Sequence, residues 1–329
     1  MAKIQNFITW LAVCNENSVT TPWRLVFDAS RGTKEGCSLN SLLAKGSNNM
    51  NNLAGIHIKW RTHKHAFHTD VSKMYNAVRL KKAHWRYQLY LWNDGLDSEK
   101  PPVWKVIKTL IYGVRSSGNQ AECALRRTVE LSKIRYPEAC EAVQSDTYVD
   151  DCISGTSCRD TTLRVTDEMS VALAKGGFKL KGVSISGEDP PENLSVDKKS
   201  VLTGGIVWFP KGDFIALNVK ELNFNRKIAG RKAQSAGIPD SLELRACASK
   251  VAEIFDPNGL VAPITGGMKI DINLLHEHKV GWKDPIPGEL KQSWAENFDV
   301  IREIGNLTFN RVVYSCQCCQ PGCGFDQHQ

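Results

Sequence analysis

Ser145-Asp146-Thr147-Tyr148-Val149-Asp150-Asp151-Cys152-Ile153-Ser154 is the stretch on which the fold turns. Asp150 and Asp151 adjoin and repel each other; away from solvent such a pair stays ionised mainly when cations neutralise it. Tyr148 and Val149 before the pair favour strand, and Ser154-Gly155 after it reads as a turn. The pattern predicts a hairpin that presents carboxylates at a bend, hard oxygen ligands suited to a divalent metal. A solvated acidic turn fits the same residues, and the pair alone does not separate the two readings.

A third carboxylate separates them. Asp70 lies in Phe67-His68-Thr69-Asp70-Val71-Ser72-Lys73-Met74-Tyr75-Asn76-Ala77-Val78, where a strand-like run ends and Met74, Tyr75 and Val78 follow at near-helical spacing. Alone, Asp70 would read as a helix N-cap. An Asp at a strand end, followed much later by an Asp pair on a hairpin, is the layout expected for two-metal phosphoryl transfer. Ions about 3.5–4 Å apart would activate an attacking hydroxyl and take charge on the leaving pyrophosphate, and they call for several carboxylates.

Asp70 with Tyr148-Val149-Asp150-Asp151 resembles the palm of reverse transcriptases. The surrounding segments resemble the polymerase of Bel-Pao long-terminal-repeat retrotransposons: Trp23 through Ser30, Ser38 through Gly46, Asp70 through Leu80, Tyr112 through Ser117, Gly177 through Lys181, and Phe255 through Pro263. They come in the family's order. The resemblance implies an RNA-directed DNA polymerase with an α+β fold, the polymerase right hand of fingers, antiparallel-sheet palm and mainly helical thumb. Fingers and palm would occupy residues 1–213, a thumb or connection-like region 214–310, and an irregular Cys-rich tail 311–329.

By the same resemblance Asp70, Asp150 and Asp151 are the catalytic, metal-binding triad for two Mg²⁺ or Mn²⁺ ions. Asp70 and Asp150 would be the direct ligands, with Asp151 completing the cluster. Arg24 stands where a fingers arginine grips the incoming dNTP, a task suited to its planar fork. Tyr75 stands at the sugar gate, where a ring leaves no room for a 2′-hydroxyl. Tyr112 and Gly113 stand at the floor of the nucleotide pocket. Lys181 matches a general acid for pyrophosphate, and Lys179 competes for that role. Ordinary readings accompany each: strand surface for Arg24, palm packing for Tyr75, solvated faces for the lysines. The chain departs from the family at Gly118, where Ser-Ser-Pro is usual, and at Val183, where tryptophan is usual. No lysine stands between Lys3 and Arg24.

With 329 residues, 42% of them hydrophobic, the chain can bury a large core in two or three subdomains. A net charge of +7 accords with nucleic acid without specifying it. Lys220, Arg226, Lys227, Arg231, Lys232, Arg245 and Lys250 follow the palm, where phosphate contacts would hold a primer–template without reading its sequence. No apolar run is long enough to span a bilayer. Phe7 to Val13 is short, contains Thr9, lacks a cleavage pattern and reads as a fingers strand. The expected setting is a cytoplasmic retroelement particle or the nucleus, without secretion or membrane insertion, and with free thiols. Cys316, Cys318, Cys319, Cys323 and His328 match no zinc spacing. His63, His65 and His68 do not share one strand face, which argues against a metal there.

Periodicity predicts strands at 64–69 and 87–92, helices at 119–133 and 160–175, a hairpin of strands 201–209 and 214–217, and helices at 241–255 and 288–304. Residues 1–60 read as short strands and turns. The expected partners are an RNA or DNA template with primer, and dNTPs. No protease, RNase H or integrase segment is recognisable, so other polyprotein segments would complete the element's chemistry. An RNA-copying RNA polymerase is opposed by Tyr75. A remnant that binds nucleic acid without polymerising is opposed by the intact triad and favoured by Gly118 and the odd tail.

Overall fold

The computed structural model describes residues 5–14, 22–33, 36–93, 101–195, 197–219 and 241–313. The chain forms two compact units, one of residues 1–185 with 191–194, the other of 186–190 with 195–329.

In the first unit β1 (Thr9–Cys14) pairs antiparallel with β2 (Trp23–Asp28). Residues expected to be strand and turn then form two helices, α1 (Leu39–Leu42) and α2 (Leu53–Thr62). Both have local start signals: the Ser38 and Asn52 side chains accept from backbone N–H groups of the first turn. β3 (His65–Val71) carries Asp70, and α3 (Met74–Ala77) carries Tyr75. A 3₁₀ turn at Lys82–Tyr87 precedes β4 (Leu89–Trp92), which pairs with β5 (Val103–Val106). α4 (Ser117–Glu130) buries Ala121, Leu125 and Val129 along one stripe. α5 (Pro137–Ser145), which the sequence reading did not anticipate, starts on a proline whose missing N–H costs nothing there. β6 (Thr147–Tyr148), β7 (Asp151–Thr156), α6 (Arg159–Ala174) and β8 (Leu180–Ile185) complete the unit.

Its central sheet runs β6-β7-β3-β8, all antiparallel. α4, α5 and α6 cover one face of that sheet through a core that includes Phe67, Val71, Leu125, Val143, Met169, Leu173 and Ile185. Ser154 and Gly155, expected to turn, lie within β7. The glycine serves close packing instead: a Cβ on Gly155 would lie 2.5 Å from the His65 carbonyl oxygen.

Among the described residues the second unit is a four-stranded antiparallel sheet with three helices. β9 (Val201–Thr203), β10 (Ile206–Phe209) and β11 (Phe214–Leu217) precede α7 (Leu244–Glu253), α8 (Ala262–Glu277) and α9 (Gly288–Gly305), and β12 (Thr308–Asn310) returns to pair with β11. The single strand expected over 201–209 is broken at Gly204 and Gly205, both with positive φ. Trp294, Phe298, Met268, Val251 and Leu217 share the core. A boundary at 213 would cut the β10–β11 hairpin, so the first unit ends near 185 instead. Arg311, the first residue of the expected tail, is fully buried. Lys220, Arg226, Lys227, Arg231, Lys232 and the cysteines from Cys316 onward lie outside the described residues.

Candidate active site

β3 and β7 are paired so that Asp70 and Asp151 stand directly opposite each other. Tyr148 pairs with Asp151, which leaves Val149 and Asp150 as a two-residue bend. Val149 has φ of 58°, a left-handed conformation that is strained for a β-branched residue. The bend is tied to β3 by the Val71 N–H, which donates to the Asp150 carbonyl at 2.8 Å. Beneath the hairpin, buried Asp146 accepts from Lys59 Nζ at 2.7 Å and from the Ser154 hydroxyl. Asn51 Nδ2 donates to the Gln144 and Thr147 carbonyls, both at 2.9 Å. These bonds fix the hairpin that carries Asp150 and Asp151.

Their titration reflects that crowding. Burial, with the charges of Asp151 and Asp70 next, pushes Asp150 up to about 6. Asp70 is also raised, first by burial; Lys181 opposes the rise and Asp151 adds to it. Lys181 acts against the rise at both carboxylates. The Lys179 carbonyl accepts from the Ser72 N–H.

Asp151 is engaged differently. Its Oδ1 lies 3.0 Å from Nε2 of His68, a buried residue of β3. Among the described residues no three His, Cys, Asp or Glu side chains are arranged around a common metal position. Asp70 and Asp150 are both oxygen donors raised first by burial, with a neighbouring carboxylate adding to the rise. Such a donor set fits a hard cation that keeps waters or takes substrate phosphates as its other ligands, as Mg²⁺ does.

The expected nucleotide residues converge on the same cluster. The rings of Tyr75 and Tyr112 lie 4.3 Å apart, centroid to centroid. Burial, then the nearby charge of Asp150, raises both phenols, Tyr112 to about 12. Arg24 opposes the rise at Tyr112, so its charge is felt there as well. Gly113, at φ of 93°, passes β2 so closely that a Cβ would lie 2.2 Å from the Phe27 carbonyl oxygen. Asn40 holds that crossing: Nδ2 donates to the Gly113 carbonyl and Oδ1 accepts from the Arg115 N–H, each at 2.8 Å. A Cβ on Gly118 would meet the Tyr75 hydroxyl at 3.4 Å, an ordinary contact. Sequence reasoning missed Asn40 and His68, because their partners lie far along the chain.

No curated protein matches the chain in sequence. Residues 243–321 match a family described as the Pao retrotransposon-like RNaseH-like domain. The described part of that segment comprises α7, α8, α9 and β12. This match overturns the expectation that no RNase H-related segment is recognisable. Among solved structures, the foamy viral protease-reverse transcriptase dRH in complex with double-stranded DNA matches with a TM-score of 0.57 at 17% identity. The match covers 93% of this chain and 45% of that one. The foamy viral protease-reverse transcriptase in complex with RNA/DNA hybrid matches with a TM-score of 0.55 at 17% identity, over 93% of this chain and 35% of that one. The chain therefore spans less than half the length of either. No described helix is long and apolar enough to cross a membrane. The chain is thus mixed α/β with the fold of these reverse transcriptase structures, and its segment 243–321 is Pao retrotransposon-like.

Proposed function

We propose that the first unit is the fingers and palm of an RNA-directed DNA polymerase of retroelement origin. The observation that carries this reading is the β3–β7 register, which sets Asp70 against Asp151 with Asp150 on the adjoining bend. Asp70 and Asp150 would hold two Mg²⁺, or Mn²⁺, and these would supply charge neutralisation at the attacking hydroxyl and the leaving pyrophosphate. The chain's own residues would do the rest. Arg24 would grip the triphosphate of an incoming dNTP, Lys181 would donate a proton to pyrophosphate, and the Tyr75 ring would exclude a 2′-hydroxyl. Gly113 and Tyr112 would form the pocket floor. The second unit would act as thumb or connection, with a primed RNA or DNA template as partner. Action in a cytoplasmic particle or the nucleus belongs to the same reading.

The test is incorporation of dNTPs on a primed homopolymer by the purified chain, with Mg²⁺ or Mn²⁺. Metal-dependent extension that Asp150→Asn abolishes is the expected result; extension unaffected by that substitution sinks the reading. A second reading, an RNase H-like nucleic-acid-binding remnant without polymerisation, is favoured by the family match at 243–321. Hybrid binding with no incorporation in either metal would select it.

A further inference from the structure

His68 is two residues before Asp70 on the same strand and so shares its face of the sheet. It is 2% exposed, and its Nε2 lies 3.0 Å from Oδ1 of Asp151. A carboxylate only accepts, so the imidazole must donate from Nε2. Its Nδ1 is buried without a hydrogen-bond partner, and so is Oγ of Ser184. Those two residues are direct partners in the β3–β8 register and therefore stand on one sheet face. In the neutral Nε2–H tautomer Nδ1 is an acceptor, and a serine hydroxyl rotates freely enough to donate. The face thus carries Ser184, His68, Asp151 and Asp70 from strand to strand.

We propose that His68 is a positioning residue that holds Asp151 away from the ions, with Ser184 beyond it. It thereby determines that Asp70 and Asp150, rather than Asp151, are the carboxylates offered to metal. The proposal rests on the polymerase reading of this site. Two like-charged neighbours have no reason of their own to divide the work. A hydrogen-bond donor fixed in the sheet beside only one of them supplies that reason. A carboxylate released from the imidazole would turn its full charge toward Asp70 and Asp150. The cluster would then attract a cation more strongly, but in a geometry that does not match the reaction.

The test separates those two effects by measuring free Mn²⁺ by electron paramagnetic resonance, alongside primed dNTP incorporation. His68→Leu should bind Mn²⁺ at least about threefold more tightly than the parent while incorporating at least about tenfold more slowly. His68→Gln, whose Nε2 can donate from nearly the same place, should move both values back toward the parent. Loss of folding would weaken both together, so the opposed movement is the signature. Unchanged or weaker Mn²⁺ binding in a folded His68→Leu overturns the proposal. The parent alone supplies a second measurement, imidazole ¹⁵N shifts of His68 in the metal-free chain. A protonated Nε2 with a bare Nδ1 is expected, and the opposite tautomer overturns the assignment. A parent that binds no Mn²⁺ would sink the polymerase reading itself, a failure visible before any His68 variant is made.

Discussion

Two hairpins of this chain carry an aspartate at a left-handed bend, and their fates differ. On the β6–β7 hairpin Val149 has φ of 58° and Asp150 follows it. On the β10–β11 hairpin Asp213 itself has φ of 56°. Asp213 is surrounded by donors. Arg311 Nε and Nη2 reach its two oxygens at 2.7 and 2.8 Å, Trp208 Nε1 donates at 3.0 Å, and the Arg311 N–H donates to its carbonyl. Asp150 faces Asp151 and Asp70 and is pushed up to about 6. A carboxylate that the protein neutralises is architecture. One left among like charges gives no stability in the metal-free chain, and a bound cation would explain its presence.

The sharpest way to break that contrast is Asp150→Asn. Incorporation should fall by roughly a thousandfold or more, about 4 kcal/mol of transition-state stabilisation. Stability without metal should move the other way. A carboxyl whose folded pKa exceeds its unfolded value stabilises below the unfolded pKa, and that contribution is lost as pH rises through the folded one. Asp150, raised from 3.8 to about 6, should therefore make the metal-free parent less stable as pH rises from about 4 to above 6. The Asn variant lacks this loss. In chelator at pH 8 it should melt at or above the parent, with the gap closing at acid pH. A variant that melts well below the parent at pH 8 would make Asp150 architectural after all.

Asp213→Ala should do the reverse. It removes the carboxylate that two nitrogens of the fully buried Arg311 reach, and breaking such a pair costs about 3–5 kcal/mol. Asp213 keeps 24% of its side chain exposed, so about 3 kcal/mol, the low end, is expected in urea unfolding of the second unit. A loss below about 1 kcal/mol would place this pair among ordinary surface ion pairs.

The two hairpins were not equally legible. Tyr148 through Asp151 announces a hairpin and its charge within four residues, although the bend falls at Val149 and Asp150 rather than at the expected Ser154 and Gly155. The Asp213 site needs Arg311, 98 residues away, and no local pattern reveals it. The same holds for His68 with Asp151 and for Asn40 with Gly113. Glycine misled at two places for different reasons. Gly155 sits in a strand because β7 must approach His65 closely, whereas Gly204 and Gly205 break an apolar run that otherwise reads as one strand. α8, which was not among the expected helices, holds Gly266 and Gly267 within its span and Pro263 in its first turn, residues of low helix preference. Burial of Thr265, Met268 and Leu275 overrides that local preference.

A smaller effect sharpens what surrounds the exposed charge. Tyr75 and Tyr112 pack ring against ring at a tilt near Asp150, and if Tyr75 is the sugar gate, Tyr75→Ala should lower the dNTP-over-rNTP preference. A fall of at least about tenfold in the ratio of catalytic efficiencies is expected, about 1.4 kcal/mol. Losing half of an aromatic pair should also cost about 1 kcal/mol of stability. A stability loss with an unmoved ratio would leave Tyr75 as packing alone.

The smallest expected effect concerns the positive charge that a polymerase needs as counterpart to its acidic centre. Lys220, Arg226, Lys227, Arg231 and Lys232 crowd one stretch that follows β11. If they grip a duplex backbone, log affinity should fall linearly with log salt, each true phosphate contact adding about 0.9 to the slope for a B-form duplex. Arg231→Ala with Lys232→Ala should flatten that slope by about 1–2 and weaken all duplex sequences alike. Binding titrations at several salt concentrations, on two duplexes of unrelated sequence, measure both. Phosphate contacts carry no base information, so weakening confined to one duplex would mean that these residues read sequence. An unchanged slope would mean that their charges stay solvated. Asp150 would then be the centre of an acidic site whose nucleic acid is held by some other part of the chain.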